Sequence, residues 1–386
     1  NSPSSPYEGN LYSAWTDFGG PYNEEIVISR STDDGLSWSP RQEISSAVNA
    51  GSHNQGVNIS SGPNGEVYVT WAIYDSFPAD ETAIGFTVST DGGQTFAPAQ
   101  RIITNIRGIR NTGTSKNHRV ASFPVMAVDL SGGPRQGYIY IVWTNVGEPG
   151  INTGPDIDNY MIRSTDGGNT WSPPIRINQD PTGQGKEHYF PWISCDPVTG
   201  NLSVISYDDR NVSSTQCEVF VANSTDGGMT WEDFKISDVA FTPKPIPGLA
   251  GGYFGDYLGI SARGGRVYPV WTDNRTGRAL AYVSPFVFQP GQVTVDQKLS
   301  DGTSVDSIGR WEGGPDFVPY AVPHTFSFEI GSTETLRGAQ KIISNEKYHN
   351  WSLDDMITNH REFQITAGFP GQLVSEFNPT KPGITV

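Results

Sequence analysis

One eight-residue pattern recurs four times in this chain, and it constrains the fold more than any other feature. Each copy reads Ser-Thr-Asp, then Asp or Gly, then Gly, then two further residues, then Trp or Phe, and the copies start 58, 75 and 60 residues apart. Asp-Gly and Gly-Gly supply the positive φ angles of a tight hairpin turn, and Ser and Asp side chains hold such turns by bonding backbone N–H groups. The copies contain Ser31, Asp33, Gly35 and Trp38; Ser89, Asp91, Gly93 and Phe96; Ser164, Asp166, Gly168 and Trp171; and Ser224, Asp226, Gly228 and Trp231.

A second pattern precedes each copy: a Gly followed by an alternating strand that ends on an aromatic residue. It occupies residues 9–15, 65–71, 137–143 and 200–207, and a fifth example at 265–271 has no Ser-Thr-Asp copy after it. A complete unit predicts four strands, A to D, which in the fourth unit are residues 191–195, 201–207, 218–224 and 234–237. The repetition predicts an array of small antiparallel sheets.

These residues resemble the Asp boxes, or bacterial neuraminidase repeats, of the sialidase superfamily. The resemblance covers roughly residues 9–288 and implies an all-β fold, a β-propeller with four-stranded blades. Five blade units are recognisable, and a sixth blade is left open. Blade 1 lacks an evident strand A and blade 5 a clear strand D, and one interpretation is that the first and last segments complete a shared blade.

Composition narrows the classes of function and partner. With 25 Lys and Arg against 41 Asp and Glu, the net charge is −16, which argues against nucleic acid and anionic lipid as partners. No apolar run approaches the ~20 residues of a membrane span. The chain opens on Asn1 without Met, which suggests a processed or trimmed form.

The Asp-box copies stop after the fourth unit, and a second module is expected beyond them. We predict an Asp-box propeller over residues 1–290 and a β-sandwich-like module over residues 291–386, because the later segment contains alternating, strand-like stretches. The apolar run at 383–386 suggests either truncation or strands completed by another chain, so self-assembly through incomplete edge strands is a possible partner mode. Cys195 and Cys217 are expected on strands A and C of one blade, which disfavours a disulfide.

Meander topology places the B–C and D–A loops on one face, where a polar site is expected. On this face the sequence offers candidate catalytic groups and candidate ligand-binding groups. The catalytic candidates are Arg119, Arg210, Arg275, Tyr253, Tyr257, Asp208 and Asp273, and the ligand-binding candidates are His53, His118, His188, Tyr189, Asp209 and Asp256.

The resemblance implies a sialidase mechanism only if its residues are present. The family enzymes use three arginines on the substrate carboxylate, a Tyr nucleophile assisted by a Glu, and an Asp acid/base. Arg119, Arg210 and Arg275 could form such a triad by position, but the family's early Arg-Ile-Pro motif is absent and no Glu is placed beside Tyr253 or Tyr257. Local pairing of each Arg with its neighbouring Asp is the alternative.

Three functions are therefore compared. The favoured one is an exported, non-catalytic propeller that acts in adhesion, glycan binding or extracellular assembly, with a glycan or protein partner on the loop-rich face. The alternatives are a glycoside hydrolase, sialidase-like or of another class on the same fold, and a lyase or other carbohydrate-active enzyme that uses Tyr and His. No cofactor is expected, although a carboxylate-rich mouth could hold Ca²⁺, and His53, His118 and His188 could approach one another around a metal. Secretion or display at the cell surface follows from the resemblance, because box-bearing relatives are typically secreted.

Overall fold

The computed structural model describes residues 5–48 and 53–288 and, beyond them, a series of strands between 292 and 385. The chain divides into two compact units, Asn1–Val287 and Phe288–Val386. Every regular element in the described residues is a β-strand, in keeping with the high content of Gly (44) and Pro (28). No helix in this part of the chain has the length and apolar character needed to cross a membrane.

The first unit contains five antiparallel sheets that follow one another along the chain. Each of the first four is a meander, in which hydrogen-bonded neighbours are also consecutive in sequence. These sheets are the blades of a β-propeller, so the predicted all-β propeller fold is confirmed. The strands are β1 (Leu11–Thr16), β2 (Ile26–Ser31) and β3 (Gln42–Glu43) in blade 1; β4 (His53–Ser61), β5 (Val67–Tyr74), β6 (Ala83–Ser89) and β7 (Gln100–Ile103) in blade 2; β8 (Val125–Val128), β9 (Ile139–Val146), β10 (Ile157–Ser164) and β11 (Ile175–Arg176) in blade 3; β12 (His188–Cys195), β13 (Leu202–Asp208), β14 (Glu218–Ser224) and β15 (Glu232–Lys235) in blade 4; and β16 (Gly259–Arg263), β17 (Arg266–Asp273), β18 (Leu280–Val283) and β19 (Phe286–Val287) in blade 5.

The second strand of each inner blade is buried along its whole length. In β5, β9 and β13 every residue is buried, because a neighbouring blade covers each face. On one face of β9, Ile141 and Trp143 pack in the same cluster as Phe86 of blade 2. The other face packs Val142 with Val204 of blade 4. The hydrophobic core therefore lies between blades.

The recurrent Ser-Thr-Asp turn joins the last two strands of each of blades 1 to 4. In blade 3, Ser164 Oγ donates to Asp166 Oδ1 at 2.8 Å and accepts the N–H of Gly168 at 2.8 Å. Thr170 donates its N–H and its hydroxyl to the same carboxylate at 2.9 and 2.6 Å. These bonds, that of the Thr170 hydroxyl foremost, lower the pKa of Asp166 to about 2. The equivalent bonds recur in the other three turns, so side chains hold the turn as predicted.

The aromatic residue that ends each turn packs on the preceding blade. Trp171 meets Phe86 of blade 2 edge to face, with ring centroids 5.2 Å apart. Gly168 lies beside the same ring, with φ +93°, and an added Cβ would fall 2.4 Å from it. Trp231 of blade 4 is only 5% exposed, whereas Trp38 of blade 1 follows no earlier blade in the described residues and is 45% exposed.

Blades 1 and 5 are incomplete in the described residues, as predicted. Blade 1 has three strands and lacks a strand A. In blade 5 both β18 and β19 pair with β17, so they form one interrupted third strand without a fourth. Unlike the inner blades, β17 alternates exposed with buried residues, and β1 alternates exposed with half-buried residues. Each of these two blades therefore has one uncovered face.

Blade 4 departs from the predicted strand limits at its first strand. The sequence predicts residues 191–195, whereas β12 begins at His188, because a bulge between Tyr189 and Trp192 shifts the register by one residue and lets the pairing continue beyond it. Phe190 adopts φ 56° there, and Pro191 has no N–H to give to the ladder. The bulge brings His188 and Tyr189 into the sheet.

The two cysteines lie on either side of β13 in blade 4. Cys195 ends β12, and Cys217 lies directly before β14. Both are free thiols, as the strand assignment predicts.

The second unit, where it is described, contains three antiparallel sheets. Their strand orders are β23-β20-β28, β22-β21-β24-β27 and β25-β26. The predicted β-sandwich depends on side chains packed between sheets, and these lie outside the described residues. The strands are β20 (Gln292–Lys298), β21 (Ser307–Trp311), β22 (Phe317–Ala321), β23 (His324–Ser327), β24 (Thr333–Gly338), β25 (Trp351–Leu353), β26 (Met356–Thr358), β27 (Glu362–Thr366) and β28 (Gly383–Thr385).

The contrast between the two turn tryptophans predicts a contrast in stability. We expect Trp231→Ala to lower the free energy of unfolding by about 3–5 kcal/mol, because it leaves a cavity between blades. Trp38→Ala should cost about 1 kcal/mol or less, since its ring is half solvated. Urea unfolding followed by circular dichroism measures both values, and equal costs would contradict the packing between blades.

Candidate functional site

The loops that follow second strands and precede first strands lie on one side of the propeller, which we call the loop-rich face. Strands of a meander alternate in direction, so the Ser-Thr-Asp turns lie on the opposite side. All of the candidate site residues belong to the loop-rich face or to the strand ends beneath it. The geometry of each determines what this face can do chemically.

Arg210 is held in place by carboxylates of its own blade. Its backbone N–H donates to Asp208 Oδ1 and its Nε to Asp208 Oδ2, both at 2.8 Å. The two terminal nitrogens bind Asp233 at 3.0 and 2.5 Å. The guanidinium carbon also lies 4.3 Å from the centroid of the Phe220 ring. Such a bidentate, stacked guanidinium has little capacity left for a ligand.

Arg275 repeats the same arrangement in blade 5. Its backbone N–H donates to Asp273 Oδ1 at 2.7 Å and its Nε to Asp273 Oδ2 at 2.6 Å. A terminal nitrogen binds Asp238, and the guanidinium carbon lies 4.4 Å from the ring centroid of Tyr282. The shared sequence pattern thus encodes a local ion-pair motif in two adjacent blades.

Arg119, the third candidate arginine, pairs with Asp256. The two carboxylate oxygens lie 3.1 and 3.0 Å from one terminal nitrogen, and the guanidinium carbon lies 4.7 Å from the ring centroid of Tyr253. Each candidate arginine therefore has its own carboxylate partner. Tyr253 serves as a stacking platform for Arg119.

The Asp residues that follow the second strands of blades 1 and 2 are paired in the same way. Asp17 accepts from Arg41 at 2.8 Å, and Asp75 accepts from Arg101 at 2.5 Å. In both blades the arginine comes from the outer part of the blade rather than from the adjacent loop. Both carboxylates are therefore engaged in ion pairs.

His188 is buried among three carboxylates at the junction of blades 3 and 4. Its Nδ1 lies 3.2 Å from Asp158, and its Nε2 lies 3.3 Å from Asp180 and 3.4 Å from Asp208. Burial by itself would lower the pKa of His188, but the nearby carboxylates, Asp208 foremost, raise it to about 10. The imidazole is therefore charged at neutral pH.

Asp158, Asp180 and His188 also form the group of potential metal ligands found in the described residues, with ligand atoms within 4.8 Å of one another. Arg176 donates to Asp158 and Asp180, both at 2.9 Å, and Arg210 lies 3.9 Å from Asp180. Arg176 and Arg210 thus supply positive charge beside these carboxylates, as a bound metal would. The arrangement fits an ion-pair cluster better than a metal site, and Ca²⁺ elsewhere on the face stays a prediction.

Lys116 links the loop before blade 3 to blade 4. Its side chain is 0% exposed, and Nζ lies 2.5 Å from Glu187 and 2.6 Å from Asp209. Asp209 also accepts the N–H of Glu187 at 2.9 Å. Breaking such a buried ion pair by removing one partner costs about 3–5 kcal/mol. We therefore infer that Asp209 stabilises the contact between this loop and blade 4.

The three candidate histidines have separate environments. His118 Nε2 bonds the hydroxyl of Tyr189 at 3.0 Å, and burial lowers its pKa to about 4. His53 stacks on Phe77 at 3.9 Å and lies 3.1 Å from Glu24. The structure does not bring His53, His118 and His188 together as ligands of one metal.

Exposed aromatic rings form the other feature of the loop-rich face. Phe18 is 60% exposed and Phe77 42%, with His53 between them at centroid distances of 5.8 and 3.9 Å. We call Phe18, His53 and Phe77 the aromatic surface. The Arg110 guanidinium lies 5.6 Å from the Phe77 ring, and no side-chain ion pair of Arg110 occurs among the described residues. Tyr257 is a further exposed ring, at 48%.

Burial separates the candidate residues into two groups. Tyr253, Tyr257 and Asp256 lie at the surface or half-buried. Arg119, Arg210 and Arg275 are half-buried as well, and the remaining candidates lie beneath the surface. The buried candidates are His53, His118, His188, Tyr189, Asp208, Asp209 and Asp273.

Glu81 is a buried group that the sequence does not reveal as part of this region. Its carboxylate accepts the Tyr74 hydroxyl and the Ser122 N–H, both at 2.7 Å, and the N–H groups of Ile109 and Arg110 at 3.1 and 3.2 Å. Burial raises the pKa of Glu81. A lone Glu in a polar loop has no pattern that would mark it, because two of its partner segments, one at Ile109 and Arg110 and one at Ser122, are distant in the sequence.

The charge on His188 predicts a pH-dependent contribution to stability. A raised pKa means that the contribution is complete below pH ~6.5, the unfolded value, and is lost as the pH rises toward about 10. His188→Gln should therefore lower the free energy of unfolding by about 3–5 kcal/mol at pH 6, and by progressively less between pH 6.5 and 10.

Urea unfolding of the wild type and the variant at pH 6, 7.5, 9 and 10 measures this difference. His118→Gln is the matched control, because His118, with its pKa of about 4, is neutral throughout the alkaline range. Its cost should stay constant from pH 7.5 to 10. A constant cost for His188→Gln as well would show that His188 is not charged in the folded protein.

Comparisons with known proteins were made for the sequence and for the fold. No protein-family model and no curated protein sequence matches this chain. A protein of unknown function from Dyadobacter fermentans has 15% sequence identity and a TM-score of 0.40, covering 73% of this chain and 92% of that one. The α-L-arabinanase of Penicillium chrysogenum has 13% identity and a TM-score of 0.46, covering 75% and 82%, and the sialidase of Trypanosoma rangeli has 12% and 0.40, covering 72% and 53%. Similarity at this level supports no conclusion about the activity of this chain.

Proposed function

We propose that this protein is an exported glycan-binding propeller that acts without catalysis, and that its ligand sits on the loop-rich face. The observation that carries the proposal is the aromatic surface. Phe18 and Phe77 expose 60% and 42% of their area on the loop-rich face. The candidate arginines of the same face form ion pairs with neighbouring carboxylates. Export rests on the resemblance of the Ser-Thr-Asp turns to Asp boxes.

Aromatic rings stack on the apolar C–H faces of sugars, and neighbouring polar groups fix the orientation of the sugar through hydrogen bonds. Pockets that recognise small ligands combine such apolar walls with a few polar groups. Arg110 beside Phe77 and Glu24 beside His53 offer a donor and an acceptor at the edge of the aromatic surface. These groups favour a sugar that presents both hydroxyls and an apolar face.

Pairing of the charged groups favours binding over hydrolysis. Glycosidases need two carboxyl groups, generally about 5–10 Å apart, that are free to exchange protons. Asp208 and Asp273 are each tied to an arginine in the same blade, and Asp256 is tied to Arg119. Tyr74 and Glu81 form a Tyr–Glu pair, but both side chains are 0% exposed and beyond the reach of a substrate.

Phe77→Ala tests the proposal on a printed array of neutral, sialylated and arabinose-containing glycans. We expect the wild type to bind a subset of glycans, and Phe77→Ala to weaken the tightest one about tenfold or more, the effect of about 1.4 kcal/mol of lost stacking. Titration calorimetry with that glycan measures the change. The matched control is Trp38→Ala, which removes a 45% exposed ring from the opposite face and should leave binding unchanged.

Two outcomes would contradict the proposal. The first is an array without binding, or binding that Trp38→Ala weakens as much as Phe77→Ala. The second is release of sugar from the bound glycan, detected by mass spectrometry after incubation with the protein. Release that Arg210→Ala and Arg275→Ala abolish would favour the sialidase-like hydrolase instead.

A further inference from the structure

A cavity of about 480 Å³ lies beside the outer strands of blade 3, and we call it the blade 3 cavity. Its walls are the loop that follows β9, the strand β10, the residues around β11 and Thr182 of the loop before blade 4. The cavity shares no lining residue with the aromatic surface, and blades 1 and 5 contribute none. Its volume lies in the range of sites that hold small ligands.

Tyr160 on β10 lines the cavity with a hydroxyl that lacks a partner. The residue is only 6% exposed, and its ring lies beside that of Trp143 at a centroid distance of 6.1 Å. No hydrogen bond of the Tyr160 hydroxyl occurs among the described residues. Burial and the charge of Asp158 raise the pKa of Tyr160, so the hydroxyl keeps its proton and can both donate and accept. A buried hydroxyl without a partner is unfavourable, and a ligand in the cavity would supply one.

Hydrogen bonds hold the walls of the cavity in place. Asp156 accepts the N–H groups of Gly183 and Gly185, the latter at 2.7 Å, which joins the loop after β9 to the loop before blade 4. The buried side chain of Asn145 donates to the carbonyl of Gly147 at 3.0 Å and so fixes the start of the first loop. The cavity is therefore formed without a ligand, which lowers the entropy cost of binding.

The charge of the cavity favours a cation. Three carboxylates line it, those of Glu148, Asp156 and Asp158, against the single guanidinium of Arg176, so the lining has a net charge of −2. Arg176 is bound to Asp158 at 2.9 Å. The exposed carboxylate of Glu148 has no hydrogen bond or ion pair within the part of the chain that the structure describes. Glu148 is therefore the group that can pair with a cationic ligand.

The other lining groups favour a ligand that also carries hydroxyls and an apolar face. Thr153 and Thr182 add two hydroxyls to that of Tyr160, and Pro149 and Pro173 add apolar rings. A lysine side chain offers an ammonium group but no hydroxyl, so it would leave these three hydroxyls without partners. A free amino acid carries a carboxylate, which the net negative charge would repel.

We propose that the blade 3 cavity binds an amino sugar with a free ammonium group. Glu148 pairs with the ammonium, Tyr160 and the two threonines bond the ring hydroxyls, and the proline rings cover the C–H face. This site is separate from the glycan site proposed on the aromatic surface and does not depend on it.

Titration of the full chain with D-glucosamine at pH 6, followed by ligand-observed NMR, tests this site. We expect a Kd of about 1 mM or below, and binding at least tenfold weaker for N-acetyl-D-glucosamine, whose amide carries no charge. Glu148→Gln and Tyr160→Phe should each weaken glucosamine binding about threefold, and the double variant about tenfold. Near-ultraviolet circular dichroism checks that each variant keeps the fold.

Two control variants separate this site from general charge effects and from the aromatic surface. Asp34→Asn removes one exposed carboxylate from a Ser-Thr-Asp turn on the opposite side, at a positive φ that Asn tolerates, and should bind glucosamine like the wild type. Phe77→Ala should also leave glucosamine binding unchanged, whether or not it weakens binding of other glycans.

The proposal is overturned if glucosamine does not bind, or if N-acetyl-D-glucosamine or Nα-acetyl-lysine amide binds equally well. It is also overturned if Glu148→Gln and Tyr160→Phe bind like the wild type, or if Asp34→Asn weakens binding as much as they do. Loss of glucosamine binding in Phe77→Ala would place the sugar on the aromatic surface instead.

Discussion

Mutual burial of neighbouring blades is the interaction on which the rest of this structure depends. A strand such as β9, apolar on both faces, cannot be stable in an isolated sheet, because one hairpin or meander covers neither face. Each blade completes the core of the next through its second strand and through the aromatic residue after its turn. The same dependence explains why Trp38 and Trp231, which end turns of the same sequence pattern, differ so widely in exposure.

The ion pairs of the loop-rich face follow from this packing. Loops that bridge tightly packed blades bury carboxylates such as Asp208 and Asp209, and a buried charge is tolerated only when it is paired and hydrogen-bonded. Lys116, His188 and Arg210 supply the pairing cations. The carboxylates and cations of this face are thus engaged with one another.

Features encoded by neighbouring residues could be predicted from the sequence, and features that join distant segments could not. The turn around Asp166 and the pairing of Arg210 with Asp208 are local, so a short motif specifies each of them. The second partner of Arg210, Asp233, lies on β15, the last strand of the blade, and its position depends on register. The bulge at Phe190 likewise depends on how β12 meets its neighbours, which the periodicity of the strand does not reveal.

The aromatic surface is supported from behind by the buried carboxylate of Glu81. That carboxylate accepts the hydroxyl of Tyr74, whose ring meets Phe77 edge to face at 5.4 Å. It also accepts the backbone N–H of Arg110, whose guanidinium lies over the same Phe77 ring. Phe77 is thereby fixed on two sides before any ligand arrives. A ring that is already ordered loses little conformational entropy on binding, so this entropy loss offsets little of the stacking energy. In the proposed glycan site, this polar group of the interior would contribute to recognition without touching the ligand.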